Sequence, residues 1–128
     1  MTESRDPNQH LPLAPHSFQI LLSLLEGDLH GYSIIKDIEE RTEGRTLLGT
    51  STVYAAIKRM VKDGLLDESQ GPPASASSGP KRRYYTITPF GRQVARAEGL
   101  RIAELNEMVA ESSLMAGTLP SPTGEVSS

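Results

Sequence analysis

Cysteine and tryptophan are both absent from the 128-residue chain. Without cysteine there is no disulfide, no thiolate ligand for zinc or an iron–sulfur cluster, and no thiol nucleophile. Aromatic residues make up only 5% and hydrophobic residues 37%, a lean composition implying that part of the chain stays out of any core. Long apolar runs are missing as well. The longest, Ile20 to Leu25, is interrupted by Ser23 and is far too short to span a bilayer. The first ten residues are polar and carry charges of both signs, unlike a secretory signal. A soluble, cytoplasmic protein with no membrane partner is therefore expected. Thirteen Lys and Arg against sixteen Asp and Glu give a net charge of -3, which taken whole argues against nucleic acid. Charge acts locally, however, so its distribution has to be examined.

Three segments lack the composition to fold: the N-terminal arm 1–10, the Ser/Pro/Gly-rich stretch Ser69 to Pro80, and the tail 112–128. The middle one lies between patterned segments and reads as a long loop, the outer two as disordered ends. The remainder is periodic. Phe18, Leu21, Leu22 and Leu25 recur on one helical face, with Pro15 suited to the first turn and Gly27 to the stop. A second helix is expected from about Gly31 to Thr42, with Ile34, Ile35 and Ile38 inward and Gly44 ending it. A third runs from about Thr50 to Asp63, with Val53, Ile57, Met60 and Val61 inward and Gly64 as its C′ residue.

Beyond Gly64 the period changes. Leu65 to Asp67 and Arg83 to Thr88 read as two short strands of a hairpin, and Thr88-Pro89 supplies the N-cap and first proline of a helix reaching about Glu111. The expected fold is mainly α with a small β-hairpin: a winged helix-turn-helix over 11–88, a long C-terminal dimerisation helix over 89–111, and tails at 1–10 and 112–128.

Charge divides along the same lines. Between Gly49 and Arg92 there are seven basic residues against three acidic ones, a net +4, and the rest of the chain carries six against thirteen, a net −7. Basic charge thus gathers on the third helix and the hairpin. Ser51, Ala55, Lys58 and Lys62 share one helical stripe opposite Val53, Ile57 and Met60. Entering a major groove N-terminus first, such a helix sets Ser51, Thr52 and Ala55 near base edges and Lys58, Arg59 and Lys62 near phosphates. Tyr54 lies beside the stripe with a hydroxyl suited to a phosphate. Lys81, Arg82 and Arg83 at the hairpin add a second cationic cluster. Each signal has a plainer explanation, a solvated helix face or cations guarding a strand edge, and their co-occurrence is what points to double-stranded DNA.

No enzyme is expected. His10, His16 and His30 have no metal-like spacing, Ser51, Ser77 and Ser78 lack a nucleophile-elbow context, and no phosphate-binding glycine motif occurs. His30 suits a capping role at a helix start. Asp37, Glu39, Glu40 and Glu43 interleave with Lys36, Arg41 and Arg45, as on a solvent-facing helix with ion pairs. No metal site and no cofactor are expected.

His30-Gly31-Tyr32-Ser33-Ile34-Ile35-Lys36 resembles the HGY-x-I-x-K/R signature of the PadR family of bacterial transcriptional regulators. Ser51-Thr52-Val53-Tyr54 is similar to that family's G-T-L-Y motif, Lys58-Arg59-Met60 through Asp63-Gly64-Leu65-Leu66 to its K-R-L and D-G-L-I blocks, and Arg82 to Gly91 to its R-R-Y-Y-x-L-T-x-x-G block. The four blocks occur in the family's order across roughly Leu11 to Glu111. The resemblance implies a homodimeric repressor of a palindromic operator, in many members released by a small-molecule effector. It implies that Gly31 permits close backbone approach, that Tyr32 packs near the third helix, and that the wing turns its cations toward DNA and Tyr85 and Ile87 toward the core. Ser51 stands where the family usually has Gly, the wing tip is long, and a single C-terminal helix is typical of the short members. Ile102, Leu105, Met108 and Val109 give that helix an apolar stripe expected to meet a partner subunit, the alternative being the first helix of its own chain. Without tryptophan to stack on, an inducer is expected to be small or weakly bound, or absent. The competing functional reading is a winged-helix module that binds an acidic protein and has no sequence-specific DNA binding.

Overall fold

Among the described residues proline opens two of the four α-helices, because its missing N–H falls where the first turn has no intrahelical acceptor. Helix α1 (Pro15–Ser23) starts this way. Strand β1 (Leu29–His30) and helix α2 (Gly31–Arg41) follow without a break, His30 being both the last strand residue and the N-cap of the helix. Helix α3 (Thr50–Lys62) begins after Gly49 and ends at Asp63. Strands β2 (Leu66–Ser69) and β3 (Tyr84–Ile87) precede helix α4 (Pro89–Glu111), whose N-cap Thr88 accepts a hydrogen bond from Gly91 N at 2.9 Å through its hydroxyl. The computed structural model describes residues 5–70 and 83–115. Most of the expected loop and tail, 71–80 and 116–128, lies outside the described residues, as do Lys81 and Arg82.

The strands form one antiparallel sheet in the order β1-β3-β2. Leu66 pairs with Ile87 and Glu68 with Tyr85, while Leu29 pairs with Tyr85 on the other side. The expected hairpin is therefore a three-stranded sheet. Its third strand has two residues, too few to display an alternation in sequence.

Side chains from all four α-helices and from β2 and β3 meet in one core: Ile20, Leu21 and Leu24 near α1, Ile34 and Ile38 of α2, Val53, Ala56, Ile57 and Met60 of α3, Leu65 and Leu66, Tyr85 and Ile87, and Val94 and Ala95 of α4. Burying each large aliphatic side chain contributes about 1.5–3 kcal/mol. The buried line near α1 runs through Ser17, Ile20, Leu21 and Leu24. It is rotated from the expected line, leaving Phe18, Leu22 and Leu25 half-buried. Ile35 and Val61 are likewise half-buried at its margin.

The chain divides into two compact units between Glu98 and Gly99, not at the expected boundary between 88 and 89. The first ten residues of α4 belong to the first unit because Gly91, Val94, Ala95 and Glu98 form a buried line. A Cβ at Gly91 would lie 2.2 Å from the Leu65 carbonyl oxygen and 2.9 Å from Ile87 Cγ1, so only glycine lets α4 approach this closely.

The described part of the N-terminal arm is structured, contrary to expectation. Pro7–His10 forms a 3-10 turn capped by the Asp6 side chain. Arg5 donates to the Asp63 carbonyl at the end of α3 and its guanidinium stacks 4.3 Å over the Phe90 ring. Polar composition hid these contacts, which are to a helix end and an aromatic face and need no apolar side chain. In the second unit, Ser113–Met115 forms a further 3-10 turn within the expected tail. Among the described residues no helix is long and apolar enough to cross a membrane.

Candidate nucleic-acid interface

Helix α3 separates two kinds of residue. Val53, Ala56, Ile57 and Met60 are buried, and Ser51, Thr52, Ala55, Lys58, Arg59 and Lys62 are exposed. Cations in its last turn also oppose the negative end of the helix dipole. Gly49 at the N-cap contributes no side-chain hydrogen bond, so the first turn of α3 is open. The expected stripe exists, small and polar at its start and cationic at its end.

Between α3 and the sheet runs an open groove of about 400 Å³, lined by Tyr54, Ile57, Lys58, Val61, Glu68, Arg83 and Tyr85. Strand alternation builds its far wall. Arg83, Tyr85 and Ile87 share one side of β3, and Leu66 and Glu68 the same side of β2. Tyr85 and Ile87 turn into the core, as expected, with Tyr85 only 4% exposed. Burial pushes the Tyr85 hydroxyl above its ordinary value of 10.0, and the Glu68 carboxylate pushes it further; the Arg83 cation opposes both. Arg83 is paired with Glu68 at 3.6 Å.

Tyr54 reaches the groove by lying across Gly31. A Cβ at Gly31 would lie 2.1 Å from the Tyr54 hydroxyl oxygen. The close approach at Gly31 is thus to the Tyr54 side chain of α3 and not to backbone. Tyr32, expected to pack near α3, is instead 62% exposed and stacks on the His30 ring. His30 accepts from Ser33 N at 3.2 Å through Nδ1, the capping role its position suggested, and its ring meets Tyr84 edge-on. Along α2, Arg41 pairs with Asp37 at 2.8 Å and Lys36 with Glu39 at 4.0 Å, the ion-paired solvent face the sequence implied. Among the described residues no group of three or more His, Asp or Glu could hold a metal ion.

The profile of the transcriptional regulator PadR-like family matches residues 20–97, which span α2, α3, the sheet and the start of α4. The chain belongs to that family. It is 32% identical over 90 residues to an uncharacterized protein of Lysinibacillus sphaericus, covering 70% of this chain and 80% of that one. The fold is similar to that of a PadR family transcription regulator from Clostridium difficile R20291, with a TM-score of 0.67 and 26% identity over 77% of this chain and 97% of that one. It is also shared with Bacillus subtilis PadR, solved in complex with operator DNA, with a TM-score of 0.54 and 22% identity over 63% of this chain and 44% of that one. Members of this family are transcriptional regulators, not enzymes.

Two features of this PadR-like chain escape sequence reading. Glu98 is 2% exposed and its carboxylate accepts a hydrogen bond from Leu13 N at 3.2 Å, joining the segment before α1 to α4. Its spacing from Gly91, Val94 and Ala95 was the available signal. Arg5 at the end of α3 had none. In the second unit, Ile102, Leu105, Met108 and Val109 are 40, 43, 64 and 38% exposed.

Proposed function

We propose that the protein is a repressor in the cytoplasm that binds a palindromic operator as a homodimer. Ser51, Thr52 and Ala55 at the start of α3 meet base edges. Tyr54, Lys58, Arg59 and Lys62 meet phosphates, and Lys81, Arg82 and Arg83 extend the contact along the wing. Ile102, Leu105, Met108 and Val109 form the subunit contact, which places half-sites about one helical turn, ~34 Å, apart.

The observation that carries this reading is the groove between α3 and the sheet, lined by the cations Lys58 and Arg83, on a helix whose first residues, Thr50 to Thr52, are exposed. The shared fold with the operator-bound Bacillus subtilis PadR supports it. An inducer, where one acts, is small or weakly held, since the chain has no tryptophan on which to stack it. A saturable thermal shift with phenolic acids or planar cationic drugs, accompanied by loss of DNA binding, would contradict this expectation.

The test is operator binding by Lys58→Ala, Arg59→Ala and Arg83→Ala across a salt series. Each variant is expected to weaken binding and to reduce the salt slope by about two, one phosphate contact being lost in each protomer. Wild-type affinity and slope in all three contradict the assignment of these cations to phosphates. Purely non-specific affinity in the wild-type protein favours a protein-binding module instead.

A further inference from the structure

The groove contains one residue whose charge is wrong for the partner proposed above. Glu68 stands on β2 directly opposite Tyr85, on the side of the sheet that faces α3, and lines the groove together with Tyr54, Lys58 and Arg83. Its neighbour Asp67 is exposed and, by strand alternation, projects from the opposite side. Two carboxylates thus sit side by side in sequence, and only one points into the groove.

Glu68 Oε2 lies 3.6 Å from Arg83 Nη1, and both side chains are more than half exposed. An ion pair this open adds little to stability, because water screens it and both chains lose freedom in forming it. Its effect lies in what it does to Arg83. A guanidinium held by a carboxylate must leave it before taking a phosphate, and the released carboxylate then repels that phosphate at close range.

We propose that Glu68 is an affinity-limiting residue of the DNA face, occupying Arg83 as a phosphate would and so penalising phosphate binding there. The inference rests on the DNA-binding reading above. Non-specific binding draws nearly all of its free energy from phosphate contacts, so it reads the loss or gain of one such contact most directly. Tyr85 reports the same neighbourhood, since Glu68 and Arg83 act on its hydroxyl in opposite directions.

The experiment compares full-length wild type, Glu68→Gln and Asp67→Asn on a mixed-sequence duplex of about 30 base pairs, from about 50 to about 200 mM salt. Both substitutions remove one negative charge, so a net-charge effect moves them together. Glu68→Gln is expected to bind about fivefold more tightly at the low-salt end, with a salt slope steeper by about 0.9 per bound protomer, while Asp67→Asn stays within about twofold of wild type. In an Arg83→Ala background the Glu68→Gln gain should largely vanish, because the two residues act as a pair. Equal behaviour of the two carboxylate variants, or a full Glu68→Gln gain without Arg83, overturns the role of Glu68 and leaves DNA binding standing. Absence of DNA binding by every form, wild type included, overturns both.

Discussion

The two units of the chain use apolar residues in opposite ways. In the first, Ile20, Leu21, Ile34, Val53, Leu66 and Val94 are all but sealed from water, and charge occupies the outside. In the second, Ile102, Leu105, Met108 and Val109 remain well exposed although they sit on a regular helix. The first unit buries most of its large apolar side chains, leaving Leu47 and Tyr32 as its most exposed exceptions, whereas the second leaves a stripe of them open. A contiguous apolar stripe left open on a helix is the mark of a surface meant for another chain. The proposed function gives the two units separate tasks: the first would supply the DNA-facing groove, and the second the contact that sets how many such grooves act together.

Placing a charge within the open stripe should have the largest effect. Leu105→Asp is expected to give a monomer in sedimentation and to lower affinity for a palindromic site by about 100-fold, through loss of the second half-site contact. A dimer of unchanged stability removes Leu105 from the interface. A milder effect separates two glycines of α4. Gly91→Ala drives a methyl into the Leu65 carbonyl and should destabilise the first unit by about 3 kcal/mol in urea unfolding. Gly99→Ala meets nothing within 4 Å in its own chain and should gain up to about 1 kcal/mol from helix propensity. A loss at Gly99 would place the partner's surface against that position.

The smallest effect concerns alkaline pH. Burial and Glu68 raise the Tyr85 hydroxyl above 10.0, so the folded protein favours the neutral phenol more than the unfolded chain does. That contribution is fully present below pH 10 and is lost as pH rises through the folded-state value. Tyr85→Phe should therefore lose less stability than wild type between about pH 10 and pH 11.5 in thermal melts. Parallel curves for the two proteins would show that Tyr85 titrates as if exposed.

Much of this was legible in sequence because single residues carried unambiguous instructions. Pro15, Thr88-Pro89 and Gly64 marked helix ends, and the period of α3 separated Val53, Ile57 and Met60 from Ser51, Ala55 and Lys58. Where several answers were equally consistent, tertiary packing chose. The run Phe18 to Leu25 offers apolar residues in more than one register, and contact with α2 and α3 selected Ile20, Leu21 and Leu24. Strand β1 is defined by pairing with Tyr84 and Tyr85, residues more than fifty positions away. Tyr54 over Gly31 and Arg5 on Phe90 are likewise contacts between distant segments, which no local pattern encodes, and the spacing that marks Glu98 as inward does not name its partner Leu13.

The charge distribution rewards the same attention to place. A chain of net -3 carries a net +4 between Gly49 and Arg92, and even there one carboxylate, Glu68, is turned into the groove. The acidic surplus elsewhere limits indiscriminate attraction to DNA.

The most direct test of the central claim is footprinting and stoichiometry on the promoter region of the protein's own gene. Two protomers should bind one duplex and protect a palindrome with half-sites about one turn, ~34 Å, apart. Protection without two-fold symmetry, or one protomer per duplex at saturation, would contradict it.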